Sequence, residues 1–271
     1  MDRQFARQQF LGPDSETIFA AAAIGVVGVG GGGSHVVQQL AHIGFERLLI
    51  ADPDHVEDTN LNRLVGATWQ DVVDATPKVR VADRVIRSVN PKANVTQIHD
   101  NWQAAMDALR ICNILVGCVD TYRERDELER FARRFLIPYI DLGMDVHKLS
   151  SGYAIGGQVV LSMPGQLCLS CMGIINEERL AEEARKYGDV GARPQVIWPN
   201  GVLASTAVGL IVQLLAPWHV NAIPSVYLEY DGNTHSVQSS NRLIPLTGSN
   251  CVHYPADEVG DPLFSQRASP S

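Results

Sequence analysis

The chain has 271 residues, 45% of them hydrophobic and 19% charged, enough to bury one substantial core in an ordinary globular protein. Acidic side chains outnumber basic ones, 30 to 22, and the formal charge of −8 argues against a broad electrostatic footprint for nucleic acid. Five cysteines make no dense disulfide framework, the start Met1-Asp2-Arg3-Gln4 lacks the form of a secretory signal, and the apolar run 18–29 ends in glycines, so no membrane partner and a reducing, cytoplasmic setting are expected.

In chain order, a polar stretch over 1–15 leads into an alanine-rich helix at 17–23. A short buried strand follows at 24–29, broken by the run Gly30 to Gly33, and residues 34–43 show helical spacing at Val36, Val37, Leu40 and Ile43. A second strand at 47–51 ends on Asp52, completing a βαβ unit whose two strands should lie parallel. The alternation continues with a helix at 77–89, a strand at 94–98, a helix at 102–109 and a strand at 114–119 ending on Asp120. A charged helix at 123–135 and a strand at 139–142 follow. This is the sequence form of a doubly wound, mostly parallel α/β sheet of the Rossmann kind. Beyond about residue 150 the pattern changes to a strand at 153–163, a charged helix at 176–187, a long apolar helix at 198–215 and a strand pair at 225–230 and 235–239 about the turn Asp231-Gly232-Asn233. The expected organisation is one domain over 1–254, with a nucleotide-binding part at about 17–150, an extension with antiparallel strands at 151–254, and a disordered tail at 255–271 rich in Pro, Ser and acidic residues.

Gly28-Val29-Gly30-Gly31-Gly32-Gly33 satisfies G-x-G-x-x-G between a strand and a helix, where backbone without Cβ approaches phosphate and the helix N-terminus offers unpaired N–H groups. Asp52, about twenty positions on, stands where a ribose hydroxyl needs an acceptor. Alone, this fingerprint suits NAD or FAD as readily as ATP. The segment beyond the second strand is unusual for such a fold: Asp52-Pro53-Asp54, then Asn60 and Arg63, then Pro77-Lys78 opening a helix. Fixed cations here suit charge building on the α-phosphate and departing pyrophosphate of ATP. The chain has no G-x-x-x-x-G-K-[ST] P-loop. Plainer readings make Asn60 a turn residue, Lys78 a solvated first-turn lysine, and Asp120 the N-cap of the next helix.

These motifs together resemble the ThiF/MoeB/HesA family and the ubiquitin-activating enzymes. The order of glycine loop (Gly28, Gly30, Gly31, Gly33), D-x-D (Asp52, Asp54), N-x-x-R (Asn60, Arg63), P-K (Pro77-Lys78) and Cys118-Val119-Asp120 matches the family, over about residues 3–250. The resemblance implies that Asp52 holds the ribose, that Asn60, Arg63 and Lys78 contact the triphosphate, and that Asp120 holds Mg²⁺. The start Arg3-Gln4-Phe5-Ala6-Arg7-Gln8 is similar to a family segment whose second Arg reaches ATP bound by the partner subunit, so Arg7 implies a homodimer. The implied activity is ATP-dependent adenylation of a C-terminal carboxylate on a small ubiquitin-like or sulfur-carrier protein ending in Gly-Gly, with release of pyrophosphate.

Two departures stand out. Relatives pair a C-x-x-C like Cys168-Leu169-Ser170-Cys171 with a second C-x-x-C around structural zinc, and here Cys251-Val252-His253 takes its place. Zinc accepts a Cys₃His set, so Cys168, Cys171, Cys251 and His253 are the candidate ligands. Cys112 and Cys118 read as core thiols. The stretch 188–200, where thioester-forming relatives carry a nucleophilic cysteine, contains none. Rival readings are a nicotinamide-dependent oxidoreductase, a tRNA-modifying adenylating enzyme, and a binding module without catalysis.

Overall fold

In a computed structural model, residues 3–185, 194–218 and 226–254 are described. The expected tail at 255–271, the residues of the cysteine-free stretch before 194 and the start of the strand placed at 225 lie outside them.

A 3₁₀ segment, Arg3–Leu11, precedes α1 (Ser15–Ala21). Then come β1 (Ala23–Val27), α2 (Gly31–Ile43), β2 (Arg47–Ala51), α3 (Trp69–Val73), α4 (Lys78–Val89), β3 (Asn94–Ile98), α5 (Met106–Leu109), β4 (Ile114–Gly117) and α6 (Tyr122–Arg134). The chain continues through β5 (Tyr139–Lys148), β6 (Tyr153–Ser162), α7 (Glu177–Arg185), α8 (Ile197–Leu215), β7 (Val226–Asp231) and β8 (Ser236–Ser239). All strands join one sheet in the order β3-β2-β1-β4-β5-β6-β7-β8. The first five are mutually parallel, and β6, β7 and β8 add antiparallel.

Alternation along the strands builds two cores. Ile24, Val26, Leu48, Ile50, Ile114 and Val116 point to one face, where α2, α4 and α8 cover them. Val27, Leu49, Ala51 and Leu115 point to the other, against Trp102, Leu109 and the Leu128, Phe131 and Ala132 face of α6. Both faces of the central strands are thus covered, which is why they read as unbroken apolar runs. Among the described helices, α8 alone is long and apolar enough by length and composition to cross a membrane. It lies along α2 and the β5–β6 strands with Leu203, Ala204, Ala207 and Ile211 fully buried.

Several elements differ from the sequence reading. The helix placed at 102–109 is a 3₁₀ turn, Trp102–Ala105, followed by the single turn of α5. The strand placed at 139–142 runs on to Lys148 as half of a ten-rung antiparallel ladder with β6. α2 begins at Gly31, three residues earlier than its periodicity suggests, so the glycines form its first turn rather than a loop before it.

Candidate nucleotide site and Cys₃His cluster

Strand order reverses between β1 and β4, each of which pairs with a neighbour running away from the other. Ligands of open α/β sheets bind in the crevice outside the strand C-termini at such a switch point. An open cleft of about 350 Å³ lies there.

The cleft floor is backbone. Gly28 has φ +82°, and a Cβ on it would stand 2.5 Å from the Cys118 carbonyl oxygen, so only glycine lets the ends of β1 and β4 close up. Gly30 gives α2 no side-chain cap, leaving first-turn N–H groups of a 13-residue helix directed to the cleft. Gly28, Gly30 and Gly31 line it, as does Gly32, which sequence reasoning passed over. Gly33 does not line it. A Cβ there would sit 1.9 Å from the Gly28 carbonyl oxygen, so Gly33 serves the close packing of helix on strand.

Side chains from four loops surround this floor. Asp52 is buried, with Oδ2 accepting from the Val29 N–H at 2.8 Å and Oδ1 from the Asp54 N–H at 2.9 Å. Burial raises its pKa above the usual carboxylate range, against the opposing pull of the Lys78 charge and these two donors. Lys78 Nζ meets Asp54 Oδ2 at 2.7 Å, and the Lys78 N–H donates to the Asp54 carbonyl at 2.9 Å. This double link pins the start of α4 to the D-x-D loop. The Lys78 side chain is only 13% exposed, so it is not the solvated first-turn lysine of the plainer reading. Asn60 is buried and accepts the Glu57 N–H at 3.1 Å in a reciprocal cap of the turn Asp58–Asn60. It is therefore a turn residue as well as part of the cleft wall. Half-buried Arg63 folds back on its own loop, donating to the Thr59 carbonyl and to Asn62 Oδ1.

Asp120 is exposed at the cleft mouth. The plainer reading of it as an N-cap does not hold: Thr121 caps α6, its Oγ1 accepting from the Glu124 N–H at 3.1 Å. Instead Gln195, just before α8, donates Nε2–H to Asp120 Oδ1 at 3.2 Å, while the Gln195 carbonyl accepts from Asn62 at 3.1 Å. The segment thus bridges the Arg63 loop and Asp120. Asn200, in the first turn of α8, packs against Gly31. A buried ion pair, Arg125 Nη1 to Asp141 Oδ2 at 3.1 Å, closes the side towards β5, with the Tyr139 hydroxyl donating to Asp141 Oδ1 at 3.2 Å. The family resemblance marks the stretch 193–201, with Gln195 and Asn200, as similar to a loop packing near the substrate tail, and both line this cleft; sequence reasoning missed Arg125 and Asp141. Cys118 is also corrected. It is partly exposed and lines the cleft rather than being a pure core thiol, while Cys112 is buried as expected. Burial, with Asp141 second, pushes the Cys118 thiol far above its ordinary range, and burial pushes Cys112 up to about 11, so neither is a ready nucleophile.

Arg7 is exposed and lies outside this cleft. Its 3₁₀ segment docks at the far end of α2, where the Gln8 side chain donates to the Ile43 carbonyl at 2.8 Å and Phe5 packs on Gly44. The thirteen residues of α2 separate that point from the glycine floor by about 20 Å, at about 1.5 Å per residue.

A second constellation lies at 168–171 and 251–254. The His253 Nδ1 stands 3.4 Å from Cys168 Sγ and 3.3 Å from Cys171 Sγ, and Cys171 Sγ is 3.7 Å from Cys251 Sγ. All four ligand atoms lie within 4.8 Å of one another. A tetrahedron with metal–sulfur bonds of about 2.3 Å asks for sulfur–sulfur distances of about 3.8 Å, so the set fits one zinc-sized ion. The Cys171 N–H donates to Cys168 Sγ at 3.4 Å and the Tyr254 N–H to Cys251 Sγ at 3.3 Å, while burial pushes the Cys168 thiol well above its ordinary range. Burial opposes ionisation of Cys171, but the Val252 N–H, His253 and Cys168 outweigh it and bring the thiol down to about 6.

Known proteins resemble this chain at several levels. "Ubiquitin-like modifier-activating enzyme 5" of Gallus gallus is 27% identical over 226 residues, covering 77% of this chain and 53% of its own length. The chain therefore spans about half of that relative. "Sulfur carrier protein ThiS adenylyltransferase" of Escherichia coli is 27% identical over 170 residues, 61% of this chain and 63% of the relative. "tRNA threonylcarbamoyladenosine dehydratase 2" of Saccharomyces cerevisiae is 32% identical over 142 residues, 48% of this chain and 31% of the relative. Among solved structures, E. coli MccB with succinimide superposes with a TM-score of 0.73 at 19% identity, covering 89% of this chain and 72% of that one, a likeness of fold. The ThiF family profile matches residues 1–251, nearly the whole chain, and the protein belongs to the ThiF family.

Proposed function

We propose that the chain is an ATP-dependent adenylyltransferase acting on the C-terminal carboxylate of a small ubiquitin-like or sulfur-carrier protein that ends in Gly-Gly. The observation that carries this reading is the cleft itself. A glycine floor at a helix N-terminus, a buried ribose acceptor in Asp52, and the cations Lys78 and Arg63 meet in it, with Asp120 at its mouth. A hydride-transferring site has no use for that second half. The relatives named as activating and adenylating enzymes support the same reaction class. A non-catalytic module would have no need to keep Lys78, Arg63 and Asp120 together.

In this reading the substrate carboxylate oxygen attacks the α-phosphorus, the bond to the β-phosphate oxygen breaks, and pyrophosphate leaves. α2's N-terminal N–H groups hold phosphate, Asp52 accepts from the ribose, Asn60 braces the Arg63 loop and contacts phosphate, and Lys78 and Arg63 stabilise charge on the leaving group. The hard oxygen donor of Asp120 fits Mg²⁺, which would neutralise charge on the α- and β-phosphates. With no cysteine at 188–200, thioester formation at the family's usual place is not expected, and the product in this reading is an acyl adenylate. The test is ATP–pyrophosphate exchange with Gly-Gly-tailed proteins. Exchange should appear with a free C-terminus and vanish when it is amidated. Exchange dependent on tRNA instead would favour the tRNA-modifying reading, to which the yeast relative points.

The Cys₃His cluster is proposed to hold structural Zn²⁺ through Cys168, Cys171, Cys251 and His253, tying residues 251–254 to the 168–171 turn. Elemental analysis should find about one zinc per chain, by the four-ligand rule. A metal-free, fully folded preparation would return Cys168 and Cys171 to a redox-inert thiol pair.

The chain is further proposed to act as a homodimer with Arg7 working in trans. From the far end of α2 an arginine side chain cannot span the distance to its own glycine floor, while its five-donor fork suits phosphate in a neighbour's cleft. Mixing Arg7→Ala with Asp120→Ala chains should restore activity, because one site of each heterodimer keeps both groups. With random assortment and independent sites, roughly a quarter of wild-type activity should return. A mixture that stays dead after verified subunit exchange, from variants each inactive alone, puts Arg7 in cis or rules out this dimer.

A further inference from the structure

α6 carries three buried charges at a spacing of four residues: Arg125, Glu129 and Arg133, exposed by 6%, 1% and 2%. That spacing sets them on one helix face. Unpaired charges so deep in a protein are expensive, and a buried network is no more stable than apolar packing of the same shape. Its retention therefore asks what it positions.

The partners answer. Arg125 belongs to the nucleotide cleft, where it grips Asp141 and donates Nε–H to the Val119 carbonyl at 3.3 Å. One turn on, Glu129 Oε1 accepts the N–H of Leu169 at 2.8 Å, inside the Cys168-Leu169-Ser170-Cys171 turn. Another turn on, Arg133 donates Nε–H to Ser162 Oγ at 3.1 Å and Nη2–H to the Gln166 and Leu167 carbonyls at 2.8 and 3.3 Å. Its guanidinium also lies 5.0 Å from the centre of the Tyr254 ring. Tyr254 directly follows His253, and its N–H meets Cys251 Sγ. One helix thus holds both halves of the Cys₃His cluster, the turn through Glu129 and the 251–254 segment through Arg133, and at its other end a wall of the nucleotide cleft.

We infer that Glu129 and Arg133 are positioning residues that preset the two halves of the cluster for a metal ion and, through the shared helix with Arg125, couple metal occupancy to nucleotide binding. The inference rests on the metal reading of the cluster. Partners of this outer kind orient ligands and are typically worth 10–100-fold in metal affinity. Coupling between two sites is reciprocal, so nucleotide must tighten metal retention by the same factor by which metal tightens nucleotide.

The test uses the full-length protein and Zn²⁺ itself. Zinc affinity is measured by competition with a chromophoric chelator, with and without a non-hydrolysable ATP analogue, and analogue affinity by calorimetry on loaded and stripped protein. For wild type, stripping zinc should weaken analogue binding about fivefold or more, with an equal effect of analogue on zinc. Glu129→Ala should loosen zinc by about 10–100-fold, whereas Glu129→Gln, which keeps an oxygen acceptor for the Leu169 N–H, should stay within a few-fold of wild type. If Glu129→Ala does not fold, Tyr254→Leu, which removes the ring from Arg133, should loosen zinc in its place. Wild type that binds one zinc, yet shows analogue affinity independent of it and no loss of zinc affinity in the variants, overturns the inference and leaves the metal site standing. Wild type that binds no zinc overturns the metal reading and the inference with it.

Discussion

Replacing Asp120 by alanine should abolish pyrophosphate exchange, by roughly 10³-fold or more, while the protein stays folded. Charge stabilisation by a bound cation is worth several kcal/mol, and about 1.4 kcal/mol is tenfold in rate, so losing the cation's anchor costs a factor of this size. The structural cost is small because Asp120 is exposed and Thr121, not Asp120, caps α6. What the substitution removes from the unliganded protein includes the contact with Gln195, at the scale of about 0.5 kcal/mol expected of a surface change. Near-wild-type exchange with Mg²⁺ in Asp120→Ala, at unchanged melting temperature, would sink the assignment.

Lys78→Ala and Arg63→Ala should each lower turnover at saturating ATP by about 10²–10³-fold, the usual worth of one preorganised electrostatic donor. The two reach the cleft differently. Lys78 is held in place by Asp54 and needs no rearrangement, whereas Arg63 must leave the Thr59 carbonyl and Asn62 to meet phosphate. Lys78→Ala leaves Asp54, 63% exposed, free to rehydrate, but it also removes the charge that opposes burial at Asp52, so Asp52 should take up a proton more readily than in wild type while its two backbone donors keep the loop in place. Should either variant raise only the Kd for ATP and keep wild-type turnover, its cation binds the ground state and does not stabilise the transition state.

Much of the fold was legible because its central strands are buried on both faces and α2 has one-sided apolar spacing. The signal weakened where local periodicity stops deciding. β5 continues past Leu142 through Gly143, Asp145 and His147, residues unlike a buried strand, because the ladder with β6 supplies its hydrogen bonds and partial exposure suffices there. The segments Arg3–Leu11 and Asn241–Leu246 are 3₁₀ and lack a 3.6-residue repeat to detect. The structure brings together residues that stand close in sequence, the glycine run, Asp52 with Asp54 and Asn60 with Arg63 at the cleft, and joins the pair Cys168 and Cys171 to the pair Cys251 and His253 in one cluster. Gln195 and Asn200 meet Asp120 and Gly31 only after a long excursion of the chain, so their stretch could be noted as similar to a family loop but not what it touches. α6 hid its buried charges in plain view. A helix as charged as Tyr122–Arg134 looks solvated throughout, and only the four-residue spacing of Arg125, Glu129 and Arg133 marked an inward stripe.

The fate of one oxygen atom tests adenylation most directly. A Gly-Gly-tailed protein whose C-terminal carboxylate carries ¹⁸O at both oxygens is incubated with the chain, Mg²⁺ and ATP, and hydroxylamine is added to cleave the acyl adenylate at its carbonyl carbon. Attack of the carboxylate on the α-phosphorus leaves ¹⁸O bridging to phosphate, so the released AMP should carry one ¹⁸O and pyrophosphate should form in equal amount. Unlabelled AMP, or ADP with orthophosphate, would contradict the account.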